Sequence, residues 1–212
     1  FVNGSCFGAT IGPVANRTEK GSFELDGTIY NLVINDNDNN LHSDGNAGLH
    51  KVLWTAEKNE AENAVVFTRK SKDGELGFPG NREFKVTYKL TEDNALEIRY
   101  DASTDKKTLV NPTNHTYFNL KGHDCEKTIE DEKVWIKASH YTKVRMGAIP
   151  TGEIAPVEGT PFDFTQLKAV SRDISAEDVQ LALVKGYDHN FAIDGYEEGK
   201  LQKIAEVVDD EA

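Results

Sequence analysis

Phe84-Lys85-Val86-Thr87-Tyr88-Lys89-Leu90, then Thr91-Glu92-Asp93-Asn94, then Ala95-Leu96-Glu97-Ile98-Arg99-Tyr100, is the stretch that decides the fold. Phe84, Val86, Tyr88 and Leu90 alternate with polar residues, and Leu96, Ile98 and Tyr100 resume the alternation beyond the polar turn. Successive side chains of a strand point to opposite faces, so a period of two gives one apolar and one wetted face. Two such runs joined by a polar turn read as half-buried antiparallel strands.

The same signals recur on either side. Phe23-Glu24-Leu25 and Ile29-Tyr30-Asn31-Leu32 flank Asp26-Gly27, which Thr28 follows. Asp-Gly suits the two positive-φ positions of a type I′ turn, so a hairpin is expected with Phe23 opposite Tyr30. Phe23, Leu25, Tyr30 and Leu32 then share a core-facing side. Ala64-Val65-Val66-Phe67-Thr68 and Val134-Trp135-Ile136-Lys137 read as further strands, and 201–208 as a strand running into Asp209-Asp210. The one helical hint is 173–182, with Ser175 placed to cap it. These signals predict a mainly β fold, a large antiparallel β-sandwich, with 1–212 as a single domain. The chain opens on Phe1 rather than Met and closes on what reads as one strand of a hairpin, so further sequence is expected at both ends.

Composition narrows the function. Lys plus Arg number 24 against 36 Asp plus Glu, a formal charge of −12, which disfavours nucleic acid as a partner. No run approaches the ~18 apolar residues of a membrane-spanning helix. Cys6 and Cys125 show no CxxC spacing, which argues against a disulfide scaffold or structural zinc and leaves one long-range disulfide open. GxSxG, Walker A, HExxH and EF-hand patterns are absent.

Four polar stretches carry chemistry instead. Asn111-Pro112-Thr113-Asn114-His115-Thr116-Tyr117-Phe118-Asn119-Leu120 sets one His among hydrogen-bonding side chains and aromatics that can fix its ring for acid/base work. A buried structural His is the plainer reading. Gly186-Tyr187-Asp188-His189-Asn190-Phe191 places a carboxylate between aromatics, which suits sugar hydroxyls and C–H faces, though the residues also suit a β-turn. Leu41-His42-Ser43-Asp44-Gly45-Asn46-Ala47-Gly48 reads first as a solvated loop, and Arg17 of Asn16-Arg17 can donate to several hydroxyls but reads first as a surface charge. His42, His115, Asp188 and His189 lack the clustered spacing of a strong metal site.

Together these stretches resemble the aldose 1-epimerase (galactose mutarotase) family. The matching blocks run in order: Phe7-Gly8-Ala9-Thr10-Ile11-Gly12 with Ala15-Asn16-Arg17; Leu41-His42 with Lys51-Val52-Leu53-Trp54; Gly77-Phe78-Pro79-Gly80; Asn111 to Leu120; Ile149-Pro150-Thr151-Gly152-Glu153; Gly159-Thr160-Pro161-Phe162-Asp163; and Gly186 to Phe191. The resemblance implies a β-sandwich that interconverts α and β anomers of free hexoses such as galactose and glucose, with no cofactor. It implies His115 as the general acid at the ring oxygen, and Asn16, Arg17, His42 and Asp188 as substrate-binding residues. It also implies a glutamate base in a block with no match here, since Glu197, Glu198, Glu206 and Glu211 stand in unrelated sequence. Two further departures are Pro13 in place of an arginine and Ser43-Asp44 in place of two glycines. Alternatives are a sugar-binding β-sandwich without catalysis, and a hexose-phosphate epimerase if Arg17, Lys51 and Arg82 converge. Two sequons fall on proposed site positions, at Asn16 and Asn114, where a glycan would block the sugar. With the low cysteine count, this suggests a cytoplasmic setting. The expected partner is a small hexose, with the chain as monomer or homodimer.

Overall fold

The computed structural model describes residues 4–210. The chain divides into two compact units, Phe1–Tyr117 and Phe118–Ala212. The first holds β1 (Thr10–Ile11), β2 (Arg17–Thr18), β3 (Ser22–Leu25), β4 (Thr28–Asn31), β5 (Asn40–Leu41), β6 (Thr55–Asn59), β7 (Ala64–Ser71), β8 (Arg82–Leu90), β9 (Leu96–Thr104) and β10 (Thr113–Asn114). The second holds β11 (Lys133–Ile136), β12 (His140–Arg145), β13 (Ile149–Pro156), β14 (Lys168–Ala169), α1 (Val179–Val184), β15 (Phe191–Ala192) and β16 (Ala205–Val208).

The mainly β, antiparallel expectation is met. In the first unit β6, β7, β8 and β9 pair in that order as one antiparallel sheet, while β1 pairs β10, β2 pairs β5 and β3 pairs β4. The alternation along β8 has its physical cause in burial: Phe84 and Val86 are each 2% exposed. It runs out at the turn, where Leu90 and Leu96 pair with each other and are 53% and 60% exposed. The β3–β4 hairpin has the expected register, with Phe23 opposite Tyr30 and positive φ at Asp26 and Gly27. Phe23 stacks on both Tyr30 and Phe78.

Gly77, in one of the quoted blocks, is held by a close backbone approach. Its φ is +83°, and a Cβ there would lie 2.2 Å from the carbonyl oxygen of Asn31. Gly74 has a similar φ with open space around it. Gly77→Ala is therefore expected to cost at least about 2 kcal/mol, and Gly74→Ala about 1 kcal/mol, the difference being the backbone clash. Urea denaturation of both variants measures it.

In the second unit β11 lies between β14 and β16, and β12 between β13 and β15, all antiparallel. The core is Tyr141, Ala155, Val157, Phe162 and Leu181, with Tyr141 stacked on Phe162 at 4.4 Å. The helix expected over 173–182 is shorter and later, Val179–Val184. Its cap is Asp178 rather than Ser175: the Asp178 carboxylate accepts the N–H groups of Gln180 (2.7 Å) and Leu181 (3.2 Å). A capping side chain has to reach the first helical N–H groups, and Ser175 stands a full turn too early. The strand expected over 201–208 pairs only over its second half, as β16 against β11.

Candidate active site

The first unit gathers Asn16, Arg17, His42 and His115. Asn16 and His42 continue the β2–β5 pairing: the His42 N–H donates to the Asn16 carbonyl (3.0 Å). In return the Asn16 N–H donates to His42 Nδ1 (3.1 Å). Both residues hold left-handed backbone, φ +64° and +56°, which turns the imidazole back onto its neighbour's amide. An Nδ1 that accepts a hydrogen bond carries no proton, so the neutral ring bears its proton on Nε2. Burial is the main cause that lowers the His42 pKa to about 4, and the positive charge of His115, His50 and Arg17 adds to it against a smaller opposite pull from Asp36. His42 is thus a neutral Nε2–H donor at neutral pH.

His115 follows β10. Its N–H donates to the Ala9 carbonyl (2.9 Å) and its carbonyl accepts the Gly8 N–H (3.0 Å), so the β1–β10 pairing fixes its backbone. Rings hold its side chain. The His42 ring meets it edge-on, centroids 5.1 Å apart at 88°, and Tyr117 lies tilted against it at 5.1 Å and 33°. Phe7 braces Tyr117 in turn, edge to face at 4.9 Å. The His115 side chain is half-buried, so the ring is not sealed in apolar packing.

Arg17 forms an ion pair through Nε with Asp36 Oδ2 at 2.7 Å. The sequence reading missed Asp36, because it stands in the Asn/Asp-rich run 35–40 that looks like a plain turn. It also missed His50, which is half-buried and whose pKa is lowered chiefly by burial, then by Lys51, with His115 adding a smaller push. A second histidine eight residues beyond His42 was the available signal.

The Ser43 departure has a structural basis. Ser43 is fully buried with φ +67°, a conformation that favours glycine. Its hydroxyl accepts the Val14 N–H and donates to the Val14 carbonyl, both at 2.9 Å. These two bonds offset the backbone strain and tie the His42 loop to the Asn16 segment. Ser43→Ala keeps the strain and strands both Val14 groups, so a loss of about 1–3 kcal/mol is expected in denaturant melts. Asp44 caps the next turn, its Oδ1 accepting the N–H groups of Asn46 (2.6 Å) and Ala47 (3.0 Å).

Asp188 belongs to the second unit and is exposed. Its aromatic neighbours are used inside that unit rather than offered to a sugar. The Tyr187 ring packs edge-on against Phe162 and Phe164, its hydroxyl donates to the Pro161 carbonyl (3.1 Å), and burial pushes its pKa up to about 12. Phe191 packs against the same core, and His189 Nε2 pairs with Gln180 Oε1 at 3.2 Å. Cys6 and Cys125 are free thiols.

A compact antiparallel frame that holds two imidazoles ring against ring, one of them locked as a donor, is the equipment of acid/base chemistry. Comparison with known proteins gives this equipment a family. A sequence model described as aldose 1-epimerase matches residues 1–212. Galactose mutarotase of Homo sapiens is 45% identical over 192 residues, covering 91% of this chain and 53% of that protein. Aldose 1-epimerase of Escherichia coli (strain K12) is 39% identical over 193 residues, covering 91% and 54%. The crystal structure of galactose 1-epimerase from Lactobacillus acidophilus NCFM superposes with a TM-score of 0.84 at 30% identity, covering 96% of this chain and 58% of that one. A GalM/aldose epimerase homologue from C. elegans gives 0.84 at 27% identity. The chain belongs to the aldose 1-epimerase family. It spans about half the length of the curated relatives it matches.

Proposed function

We propose that this chain works as part of an aldose 1-epimerase, interconverting the α and β anomers of free hexoses such as galactose and glucose. The contact between His42 and His115 carries the reading, because it sets a neutral donor against a second imidazole with a different duty. Protonated His115 gives its proton to the ring oxygen as the C1–O5 bond breaks, while a base removes the proton of the anomeric hydroxyl and C1 becomes a carbonyl. Rotation about C1–C2 and reversal of both transfers close the ring on the other face, so no proton is consumed. His42 donates from Nε2 to a sugar oxygen, and Asn16, Arg17 and Asp188 bind hydroxyls. No glutamate of this chain is assigned as the base, and the reaction calls on no cofactor.

The wider reading is one domain over 1–212, monomeric or homodimeric, acting in cytoplasmic hexose metabolism on a small sugar, with neither nucleic acid nor membrane as a partner. A hexose-phosphate substrate is less well supported. Arg82, one of the three cations it would need, is 2% exposed and donates to the Glu75 carbonyl (2.8 Å) from beside the Phe78 ring.

Polarimetry on freshly dissolved α-D-galactose tests the proposal. The expected result is a saturable acceleration over the spontaneous rate. Absence of acceleration overturns it, and calorimetric galactose binding without acceleration puts the non-catalytic sugar-binding reading in its place.

A further inference from the structure

The run Asn35-Asp36-Asn37-Asp38-Asn39-Asn40 reads as a plain turn, but its side chains are used to hold one shape. Backbone bonds close it: the Asp36 N–H donates to the Asn39 carbonyl (3.1 Å), and the Asn39 N–H to the Asp36 carbonyl (2.9 Å). The Asn35 amide pairs both ways with Leu41, donating to its carbonyl (2.9 Å) and accepting its N–H (2.7 Å). Asn39 Oδ1 accepts the Lys20 N–H (3.0 Å). Asn40 is 1% exposed and donates to the carbonyls of Val33 (2.8 Å) and Ser43 (2.7 Å). The run is thereby tied to β5 and to the residue that follows His42. None of these bonds passes through the Asp36 carboxylate. That group accepts from Asn37 Nδ2 at 3.4 Å on Oδ1, and from Arg17 Nε at 2.7 Å on Oδ2.

Arg17 is anchored at its backbone and long beyond it. It stands opposite Leu41 in the β2–β5 pair, and its N–H donates to Asn16 Oδ1 (2.8 Å). The side chain still has several rotatable bonds between Cα and the guanidinium. A carboxylate bound at Nε fixes the plane of the guanidinium, and with it the direction of both Nη groups. The Arg17 and Asp36 side chains are only 19% and 23% exposed, so water screens this pair less than an ordinary surface pair. We propose that Asp36 is a positioning residue for sugar binding: it aims the Arg17 guanidinium at the substrate hydroxyls without touching the sugar, and the run 35–40 is the rigid mount that lets it do so. The inference rests on the sugar-binding role proposed for Arg17. Losing the aim removes contacts that ground state and transition state share, which raises KM and leaves kcat in place.

Polarimetric kinetics with galactose on the full chain test it. Asp36→Ala is expected to raise KM about tenfold with kcat within about twofold. Asp36→Asn keeps an acceptor oxygen but not its charge, and is expected to raise KM only about threefold. The turn's backbone bonds and the Asn35–Leu41 pairing do not involve the substituted side chain, so both variants are expected to fold. A double-mutant cycle shows whether Asp36 acts through Arg17: in an Arg17→Met background, Asp36→Ala is expected to change KM by less than about twofold. Proton–nitrogen NMR supplies a readout independent of turnover, an Arg17 Nε–H signal that exchanges slowly in the wild type and is lost in Asp36→Ala. Acceleration by the wild type together with an unchanged KM in Asp36→Ala overturns the role of Asp36 and leaves the epimerase reading standing. Absence of acceleration overturns that reading instead, and the same variants compared by calorimetric galactose Kd then decide for Asp36. A fall in kcat at constant KM, an equal effect of Asp36→Ala with and without Arg17, no galactose binding by the wild type, or a rapidly exchanging Arg17 Nε–H in the wild type each overturns the proposal.

Discussion

Alanine at position 115 is expected to lower kcat for galactose anomerisation by about 10²–10⁴-fold with little change in KM. The separation follows from how the proposed site divides its work. Asn16, Arg17 and His42 are held by their own bonds, to the His42 ring, to Asp36 and to Asn16 respectively, and none of these runs through the His115 side chain. Ground-state contacts therefore survive the substitution, while the group that protonates the leaving ring oxygen is lost. Alanine also removes a ring that packs against His42 and Tyr117. His115→Phe separates the two effects, because it restores an aromatic ring without a transferable proton. Both variants are expected to show the same loss of kcat in polarimetric initial rates. A phenylalanine variant as fast as the wild type would remove His115 from the chemistry and leave it a packing role.

What the sequence revealed, and what it hid, divides along the range of the interactions. The hairpin at Asp26-Gly27 and the alternation from Phe84 to Tyr88 are local: turn chemistry and period two are written in neighbouring residues, and the structure follows them. The capping of α1 is local too, yet Ser175 and Asp178 are both acceptable caps, and only the packing of Leu181 into the core selects the later start. The candidate site is non-local. Its histidines, Asn16 and Arg17 stood out through the ordered blocks, but their orientation depends on left-handed backbone at Asn16, His42 and Ser43, which no helix or strand pattern announces. The Ser43–Val14 and Arg17–Asp36 bonds join residues far apart in sequence, so no local pattern pairs them. Tyr187 shows the converse. Its composition suited a sugar platform, whereas the Phe162 and Phe164 rings that claim it come from another block.

Acid should destabilise this fold before its carboxylates titrate, and His42 should carry a large share of the loss. An unfolded histidine titrates near its ordinary value of about 6.5, whereas the folded His42 titrates at about 4. The folded state thus binds the proton less readily than the unfolded state. The stabilising contribution is fully present above pH ~6.5 and is lost as the pH falls toward 4, since only the unfolded chain takes up the proton across that window. Over the whole interval the loss reaches at most about 3 kcal/mol, and the partial exposure of the ring reduces it. His50 and His189 are also lowered by burial and add losses of the same sign, so removing His42 should flatten the profile without abolishing its slope. Asparagine is the informative replacement, because its side-chain oxygen can accept the Asn16 N–H that His42 Nδ1 accepts now. Urea denaturation of wild type and His42→Asn at pH 7.5 and pH 4.5 makes the comparison. The wild type is expected to lose about 1–2 kcal/mol more than the variant between the two conditions. Parallel losses would mean that the His42 ring takes up its proton in the folded state as easily as in water, and burial would not be what sets its charge.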